Sequence, residues 1–486
     1  MAVRDGEQFL DGLRRAPPNL YVDGARVLDP AAHPATSAAA RAIAELYDLQ
    51  VRPDLQDAMT FVREGGERVG MSFIEPTSVA DLRRRSRMHR TWARHSLGFI
   101  GRSPDYLNVN LMACARAAAY FARGDERYGA NVRRFFAHVR DHDLSLTHAL
   151  TDPQVNRAVP KGQLPDPYIA LGVVRETGEG VVVRGARMLA TLPLADELLI
   201  FPAPGSSVAD DPARYALAFA VPCSTPGLTF IAREPLWPRR SRVDHPLGSR
   251  FDELDALVTF DDVLVPWDRV FLLGDPELAA GVYGATNATY QMGHQVLNVK
   301  IVKAQAFLGV AELIVRAIGS ARFQHVQQKM AELVVVLETL KALLTRAEER
   351  AAPDANGTMT PDRATMDVAR AYFPQAYPRM VEILQLLGAS GMIMLPSEGE
   401  RAGPMADAID KYLQAGTLAA GERLRLFRLA WDMTISAFGG RQNLYEKFFF
   451  GDPVRNAAAL YHAYDMSGPL ELVEQFLTGE EGGGDP

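Results

Sequence analysis

Cysteine is scarce in this sequence: the 486 residues include only Cys114 and Cys223. The two thiols are far apart in the chain, so they provide neither a disulfide framework nor the paired spacing of a zinc or redox site. Histidine is also infrequent, and none of the ten residues belongs to the His-Glu-x-x-His pattern of catalytic zinc. We therefore predict a reducing compartment and no metal site.

Long hydrophobic runs and an excess of positive charge are also missing. No stretch approaches the roughly 18 apolar residues of a membrane span, and the first residues have no apolar signal core. The formal net charge of -7 and the pI near 5.9 do not favour binding to nucleic acid or to anionic lipid. We expect a cytoplasmic protein that binds neither nucleic acid nor membranes.

Several common catalytic motifs are absent as well. The sequence contains neither the Gly-x-x-x-x-Gly-Lys-Ser/Thr phosphate loop nor the Gly-x-Ser-x-Gly elbow of hydrolases. The pair Gly178-x-Gly180 lacks a third glycine and a following helix, so it predicts a turn rather than a dinucleotide site. These absences exclude most common phosphate-binding and hydrolase functions.

The hydrophobic pattern divides the chain into three regions. The first, 1–149, has mainly helical spacing after a hairpin that turns at Asp23-Gly24. The second, 150–274, consists of short apolar runs separated by Pro and Gly, as in antiparallel sheets. The third, 275–486, returns to helical spacing and ends in a glycine-rich tail that predicts disorder. We therefore predict a multidomain α+β protein with these three regions as its domains.

Individual elements follow from the same pattern. Predicted helices cover about 37–48, 78–99, 104–123, 126–141, 276–318, 323–351, 361–389 and 417–437, and predicted strands cover about 173–175, 181–184, 197–201, 215–221, 228–231 and 256–260. Ser78 and Asp81 have the spacing of a capping box at the start of the second helix.

Two short segments carry the candidate chemistry. Ser103 is suited to cap a helix and Pro104 to occupy its first position, which leaves Arg102 at the positive end of the helix and Tyr106 in the first turn. Such a helix start favours a bound anion or a polarised oxygen. His148 could complete the site with an imidazole that accepts a proton near neutral pH. Taken singly, each residue also has a structural explanation, a salt bridge for the arginine and a core position for the histidine.

Five segments, in this order, resemble the oxygenase component of the 4-hydroxyphenylacetate 3-monooxygenase family. They are Gly101–Asn108, His148–Arg157, Gly185–Glu197, Phe438–Gln442 and Phe448–Pro453. The resemblance extends over nearly the whole chain. It implies an acyl-CoA dehydrogenase-like architecture with an N-terminal helical domain, a middle antiparallel β-barrel and a C-terminal four-helix bundle.

The same resemblance implies an activity and its partners. Members of the family take reduced FAD from a separate NAD(P)H-dependent flavin reductase and use O2 to hydroxylate a phenol beside its hydroxyl, giving a catechol through a flavin C4a-hydroperoxide. The family forms tetramers as dimers of dimers, so we expect a homo-oligomer.

Site residues can be carried over from the family to this sequence. Arg102, Tyr106 and His148 match the trio that holds the phenolic oxygen. A positive charge and a helix end favour the phenolate electrostatically, and an imidazole can accept the proton. The residues implied to bind the flavin are Gln154, Val155, Asn156, Arg157, Pro160, Lys161, Gly162, Gln163, Thr191, Gly439, Gly440, Arg441 and Gln442.

The loop that closes the substrate pocket departs from the family pattern. After Phe201 this chain has Ala203 and Pro204, where hydroxylases of the family can place hydroxyl side chains. The departure weakens the expectation of a free carboxylate on the substrate. The substrate class stays open between a 4-hydroxyphenylacetate-like acid, a tyrosine-derived phenol and a phenol tethered to a carrier.

Three alternatives were weighed against this function. A 4-hydroxybutyryl-CoA dehydratase would need several cysteines for an iron–sulfur cluster, and two distant cysteines cannot supply them. A flavin-dependent acyl-CoA dehydrogenase would share the fold but need a carboxylate base, for which the sequence offers no signal. A non-catalytic flavin-binding or partner-binding protein would have the fold without the oxygen chemistry. His294 and Lys300, on the inner face of a predicted helix, are left undecided between structure and function.

Overall fold

The computed structural model describes residues 3–189, 192–203, 213–237, 241–449 and 451–478. Within these ranges, no helix has the length and apolar character that crossing a membrane requires. The same ranges contain no group of three or more His, Cys, Asp or Glu side chains arranged to hold a metal ion.

Seven helices form most of the described chain before residue 145. They are α1 Gly6–Arg15, α2 Ser37–Val51, α3 Gln56–Met59, α4 Val79–His95, α5 Pro104–Arg116, α6 Ala118–Phe121 and α7 Glu126–His142. The predicted capping box at Ser78 and Asp81 is confirmed, since each side chain accepts a bond from the other residue's backbone amide. The helix predicted over 104–123 begins at Pro104 as expected but is interrupted at Ala117.

The strands fall into two main sheets and two short hairpins. They are β1 Leu20–Val22, β2 Ala25–Val27, β3 Thr60–Val62, β4 Arg68–Gly70, β5 Leu146–Ala149, β6 Gly172–Glu176, β7 Gly180–Leu189, β8 Glu197–Ile200, β9 Leu217–Pro222, β10 Leu228–Ala232, β11 Ala256–Pro266, β12 Val270–Leu273, β13 Ala352–Pro353 and β14 Met359–Thr360. The larger sheet has the order β2-β1-β10-β11-β7-β6, and the smaller has the order β12-β9-β8-β5.

Both sheets include strands from outside the predicted middle region. Within 150–274, the described strands pair antiparallel as predicted. Two strands from the N-terminal region join them in parallel, β1 alongside β10 and β5 alongside β8. The hairpin at Asp23-Gly24 is confirmed, and both turn residues have positive φ. β5 was not predicted; its pairing with β8 brings His148 opposite Leu199.

The C-terminal part is again helical. Its helices, with one short helix before them, are α8 Gly248–Phe251, α9 Pro276–Thr286, α10 Ala288–Ala317, α11 Gln324–Glu349, α12 Arg363–Gly388, α13 Glu398–Arg401, α14 Ala406–Tyr412, α15 Ala420–Thr434, α16 Ala437–Phe448, α17 Pro453–Ala463 and α18 Ser467–Thr478. The helix predicted over 276–318 is divided at Asn287, whose φ of 54° ends α9. The central helix is α10, which packs against α4, α5, α11 and α12.

One cluster of buried apolar side chains extends through all three regions of the chain. It includes Phe9 near the N-terminus, Leu198 in the smaller sheet and Phe438 in α16. A shared core of this kind holds the ends of α5, β5 and α16 in a fixed relation to one another. The candidate site lies where these three elements meet.

Candidate active site

Arg102, Tyr106 and His148 are brought together, as the sequence predicted. Arg102 lies in the turn before α5, Tyr106 in the first turn of that helix, and His148 on β5. The Nη1 atom of Arg102 is 3.0 Å from Nε2 of His148, and the rings of Tyr106 and His148 are 5.9 Å apart between centroids. The three side chains are therefore close enough to contact one small ligand.

The hydrogen bond between Arg102 and His148 determines which imidazole nitrogen carries the proton. A guanidinium group can only donate, so Nε2 of His148 accepts and Nδ1 is protonated. Burial, followed by the neighbouring charge of Arg102, lowers the pKa of His148 well below its ordinary value. The imidazole is therefore neutral near pH 7 and can take up a proton.

Arg102 keeps its charge although it is half-buried. Burial lowers the pKa of the guanidinium, but Tyr445, Tyr106 and Glu253 outweigh this effect, and the net pKa is raised. Burial also raises the pKa of Tyr106, so its phenol is a neutral hydrogen-bond donor at physiological pH. The site thus combines one fixed cation with two neutral polar groups.

Three buried polar atoms at the site have no hydrogen-bond partner among the described residues. They are Nε of Arg102, Nδ1 of His148 and Oγ1 of the adjacent Thr147. Buried polar groups are almost always paired, because leaving one unpaired costs about 1–3 kcal/mol. Unpaired donors on two of the predicted site residues are what a site for an oxygen-bearing ligand requires.

Three aromatic rings enclose Arg102, and two of them, those of Tyr445 and Phe449, were not predicted as site residues. Its guanidinium carbon lies 5.4 Å from the ring centroid of Tyr106, 5.2 Å from that of Phe449 and 6.0 Å from that of Tyr445. A Cβ at Gly101 would be 2.5 Å from the hydroxyl oxygen of Tyr445, so only glycine allows this approach. The four-residue spacing of Tyr445 and Phe449 on one helix was the available signal.

The loop after β5 is held in place by Asp152. The carboxylate lies 3.0 Å from Lys161 and 3.0 Å from the buried Arg187 of β7, which also donates to the carbonyl of Leu150. Arg187 was not predicted as a site residue, although it lies within one of the five family-like segments. These contacts fix the chain directly after His148.

The predicted flavin residues in this loop are largely accessible. Gln154, Val155, Asn156, Arg157, Gly162 and Gln163 are exposed, whereas Pro160 and Lys161 are half-buried. Thr191 lies outside the described residues. An exposed polar loop beside His148 suits a large polar cofactor.

The predicted flavin residues of α16 differ from one another. Arg441 is paired with Glu253 at 3.1 Å and with Asp255 at 2.5 Å, and Gln442 is buried and donates to the carbonyl of Phe99. By contrast, Gly440 is exposed, with no described atom within 4 Å of where a Cβ would lie. The side chains of Arg441 and Gln442 are thus engaged within the protein.

The substrate-loop residues are only partly described. Ala203 is half-buried and follows Pro202, whose carbonyl accepts a hydrogen bond of 3.1 Å from the hydroxyl of Tyr283. Pro204 lies outside the described residues. Tyr283 is half-buried, and the burial of its hydroxyl, followed by the neighbouring Tyr106, raises its pKa far above the ordinary value.

His294 and Lys300 are both fully buried on α10. His294 contacts Glu348 at 3.0 Å and the hydroxyl of Ser86. Lys300 pairs with Glu446 at 2.5 Å and lies 4.4 Å from the ring centroid of Phe449. His294 therefore belongs to an internal polar network. Lys300 lies against Phe449, one of the three rings around Arg102, which we call the aromatic wall (Tyr106, Tyr445 and Phe449).

Known proteins resemble this chain over nearly its whole length. The sequence profile of the 4-hydroxyphenylacetate 3-hydroxylase N-terminal region matches residues 5–272, and that of the C-terminal region matches residues 279–478. A relative from Thermus thermophilus, named 4-hydroxyphenylacetate 3-monooxygenase oxygenase component, is 51% identical over 475 residues, which cover 98% of this chain and 97% of the relative.

Solved structures add evidence on the fold. The crystal structure of a 4-hydroxyphenylacetate 3-monooxygenase oxygenase component, complexed with FAD and 4-hydroxyphenylacetate, matches with a TM-score of 0.94 and 51% identity, covering 98% of both chains. An archaeal 4-hydroxybutyryl-CoA dehydratase from N. maritimus, covering 100% of this chain and 96% of its own, matches with a TM-score of 0.88 at 20% identity, which shows a shared fold alone.

These matches confirm the predicted mixed α+β, acyl-CoA dehydrogenase-like fold. Because the two profiles together span nearly all of the chain, the protein belongs to the 4-hydroxyphenylacetate 3-hydroxylase family.

Proposed function

We propose that this protein is the oxygenase component of a two-component flavin monooxygenase that hydroxylates a phenol beside its hydroxyl group. The observation that carries the proposal is the cluster of Arg102, Tyr106 and His148, in which a phenolic oxygen can take the place of the hydrogen bond between the guanidinium and Nε2 of the imidazole. Reduced FAD is supplied by a separate flavin reductase, and O2 is the second substrate.

The residues around His148 fit a bound flavin. Reduced FAD, when bound, supplies the electrons that activate O2. We assign its binding to the exposed loop residues 154–157 and 160–163 and to the glycine-rich start of α16, where Gly440 leaves room for a close backbone approach. Arg441 and Gln442 would act mainly by holding this helix start, because their side chains are paired internally. Thr191 keeps its assignment from the family resemblance.

The phenol would bind between Arg102 and His148. Its oxygen would replace the hydrogen bond of 3.0 Å between them, accept from the guanidinium and give its proton to the Nε2 atom that this exchange frees. A free phenol has a pKa near 10, and lowering it by two to three units needs roughly 3–4 kcal/mol. One charge-assisted hydrogen bond together with the start of α5 can supply an energy of this size.

The aromatic wall also favours the reaction. Tyr106, Tyr445 and Phe449 surround the guanidinium with ring faces and keep water from solvating it. A dry site strengthens the attraction between Arg102 and a bound phenolate. A dry site also limits the reaction of activated oxygen with water, which would waste the reducing equivalents.

We infer a substrate that resembles 4-hydroxyphenylacetate or a tyrosine-derived phenol. The phenolic end is recognised by the trio, whose geometry suits any unhindered phenol. Ala203 offers no side-chain donor to a distal carboxylate, and Pro204 cannot provide one either. Phenols whose distal carboxylate is masked or tethered are therefore the strongest alternatives to a free acid.

A single-turnover experiment tests the proposed activity. The protein is loaded anaerobically with reduced FAD and mixed with isotopically labelled O2 and a panel of para-substituted phenols. We expect a catechol that contains one labelled oxygen atom from at least one member of the panel. Flavin reoxidation that is as fast as in free solution and yields no catechol would contradict the proposal.

A variant of His148 tests the assignment of the base. His148→Ala should lose about a hundredfold or more in hydroxylation, the usual contribution of a general base. Its affinity for reduced FAD should stay close to that of the wild type, since the flavin residues lie on the adjacent loop. Full turnover by this variant in the same single-turnover assay would exclude His148 as the proton acceptor.

The finer architecture belongs to the same proposal. We infer an antiparallel β-barrel built from the strands of 150–274, and a four-helix bundle supported by the mutual packing of α10, α11, α12 and α15. The domain boundaries after residues 149 and 274, and a cytoplasmic location, are part of this proposal. The predicted disordered tail, 479–486, lies outside the described residues.

We also infer a homo-oligomer, arranged as a dimer of dimers. The described residues of α17 and α18 include none that is buried, although α18 is rich in apolar side chains. Phe476 is 86% exposed and Leu477 is 76% exposed. Apolar surface of this extent supports contact with another copy of the chain.

A further inference from the structure

A buried histidine–aspartate pair lies beneath the turn that carries Arg102. His89 of α4 and Asp105 of α5 are both fully buried, and Nδ1 of His89 is 2.5 Å from Oδ2 of Asp105. Asp105 directly precedes Tyr106 in the chain. The family-based assignment of the site involves neither residue of this pair.

The second carboxylate oxygen of Asp105 binds two further elements. Oδ1 accepts a short hydrogen bond from the hydroxyl of Ser103 and one of 3.2 Å from Nε2 of Gln295 on α10. One carboxylate therefore connects α4, α10 and the turn that contains Arg102. A buried carboxylate with three donors is held rigidly, because loss of any one donor leaves its charge less well solvated.

This arrangement explains why the predicted helix cap is wrong. Ser103 precedes α5, but its side chain makes no capping bond to the described amides of that helix. Its hydroxyl is directed to Asp105 instead. The position of the turn is thus determined by the interior network rather than by the local cap that the sequence predicted.

The surroundings of His89 determine its protonation. Burial lowers its pKa, and this effect outweighs the opposite influence of Asp105. Its other ring nitrogen, Nε2, has no partner among the described residues, and the ring of His294 lies 5.9 Å away between centroids. Since the carboxylate can only accept, Nδ1 of His89 is the donor.

We propose that His89, acting through Asp105, is a positioning residue for the phenol site. The pair holds the turn from Arg102 to Tyr106 so that the side chains of both residues meet His148. His148 lies on β5, which is paired into the smaller sheet. This inference rests on the proposed function and assigns a role to residues that touch neither substrate nor cofactor.

Three variants of the full-length protein test the role. His89→Ala removes the donor, and His89→Asn keeps a donor near the position of Nδ1. His294→Ala is the matched control, since His294 is equally buried on the neighbouring helix and bonds to Glu348 and Ser86 rather than to Asp105. Each variant is assayed with reduced FAD and 4-hydroxyphenylacetate as the probe, and the pKa of the bound phenol is read anaerobically by ultraviolet difference titration.

The expected pattern separates positioning from general destabilisation. His89→Ala should raise KM for the phenol about tenfold, the effect of one lost hydrogen bond to a charged group. It should also raise the pKa of the bound phenol, with affinity for reduced FAD unchanged. His89→Asn should recover most of both effects, and His294→Ala should leave both at the wild-type values.

Two results would overturn the role. One is a His89→Ala variant whose KM and bound-phenol pKa equal those of His294→Ala, and the other is a His89→Asn variant that recovers neither.

If His89→Ala does not fold, Ser103→Ala removes the other contact of Asp105 with the turn and should raise KM in the same direction; an unchanged KM there also overturns the role. If the wild-type protein itself neither hydroxylates phenols nor shifts their pKa, the proposed function fails, which is a different result.

Discussion

Arg102 is a half-buried cation whose neighbours are mainly aromatic rings rather than carboxylates. One carboxylate oxygen of Glu253 accepts a hydrogen bond of 3.4 Å from the backbone amide of Arg102, and the other is paired with Arg441. The guanidinium therefore has no direct anionic partner among the described side chains around it. A buried charge in this state gains substantially when an anion binds to it, which is the electrostatic basis for stabilising a phenolate.

Substitution of Arg102 tests this charge directly. In Arg102→Ala the pKa of a bound phenol should rise by about one to two units, because the nearest positive charge is lost. Arg102→Lys keeps the charge but loses the planar fork, so its bound-phenol pKa should lie between those of Arg102→Ala and the wild type. Ultraviolet difference titration of the anaerobic complex measures both values. An unchanged pKa in Arg102→Ala would contradict the role.

At the residue scale, one prediction of proximity holds and one predicted cap does not. Arg102, Tyr106 and His148 lie together as predicted, although the distances between them could not be inferred from the sequence. The capping role of Ser103 was wrong, because Asp105 competes for its hydroxyl once α4 and α10 are packed in place. Such competition depends on residues that are far apart in the chain, so it cannot be predicted from the local sequence.

At the scale of elements, the junction of α15 and α16 determines where the aromatic wall lies. Ser436 accepts a hydrogen bond from the amide of Gly439 and so begins α16. Tyr445 and Phe449 then follow about two and three turns further along the same face, Phe449 directly after the last residue of α16. A shift of this helix start would move both rings relative to Arg102.

Adjacent glycines at this junction should respond oppositely to alanine. A Cβ at Gly439 would be 2.7 Å from the backbone nitrogen of Thr434, which cannot move easily, so Gly439→Ala should destabilise the protein by about 1–3 kcal/mol. Gly440 has open space around it, and Gly440→Ala should stabilise the helix by up to about 1 kcal/mol. Urea denaturation gives both free energies of unfolding.

The same pair of variants separates stability from cofactor binding. If the flavin approaches the backbone of Gly440, Gly440→Ala should bind reduced FAD more weakly although it is more stable. Unchanged FAD affinity in this variant would place the cofactor away from α16. Equal stability of the two variants would contradict the packing at Gly439.

At the scale of the whole molecule, buried neutral histidines make stability depend on pH. Burial is the main cause that lowers the pKa of His294 to about 4, whereas an exposed histidine titrates near 6.5. The unfolded chain therefore binds a proton in this interval that the folded protein does not. Stability is retained above about pH 6.5 and lost as the pH falls towards 4. Burial also lowers the pKa of His89 and His148, which adds to the same trend.

The His294–Glu348 pair gives this trend a specific test. Although burial raises the pKa of Glu348, its hydrogen bonds from His294 and Ser86 outweigh this effect, so its pKa is lowered and its contribution is also lost on acidification. His294→Gln should reduce the loss of unfolding free energy between about pH 6.5 and 4 by roughly 3 kcal/mol. Urea denaturation at several pH values measures the slope. A slope identical to that of the wild type would show that other groups control acid stability.

The sequence by itself determined the order and type of most elements, because helical and strand periodicities are local properties of side-chain spacing. It also identified the family, and it predicted the trio of site residues and the polar loop after His148. Tertiary structure decided the rest. β1 and β5 pair with strands that are distant in the chain. Arg441 and Gln442 bond to other residues of the protein. Tyr445 and Phe449 pack against Arg102. These outcomes depend on contacts between residues up to several hundred positions apart, which only the packed core brings together.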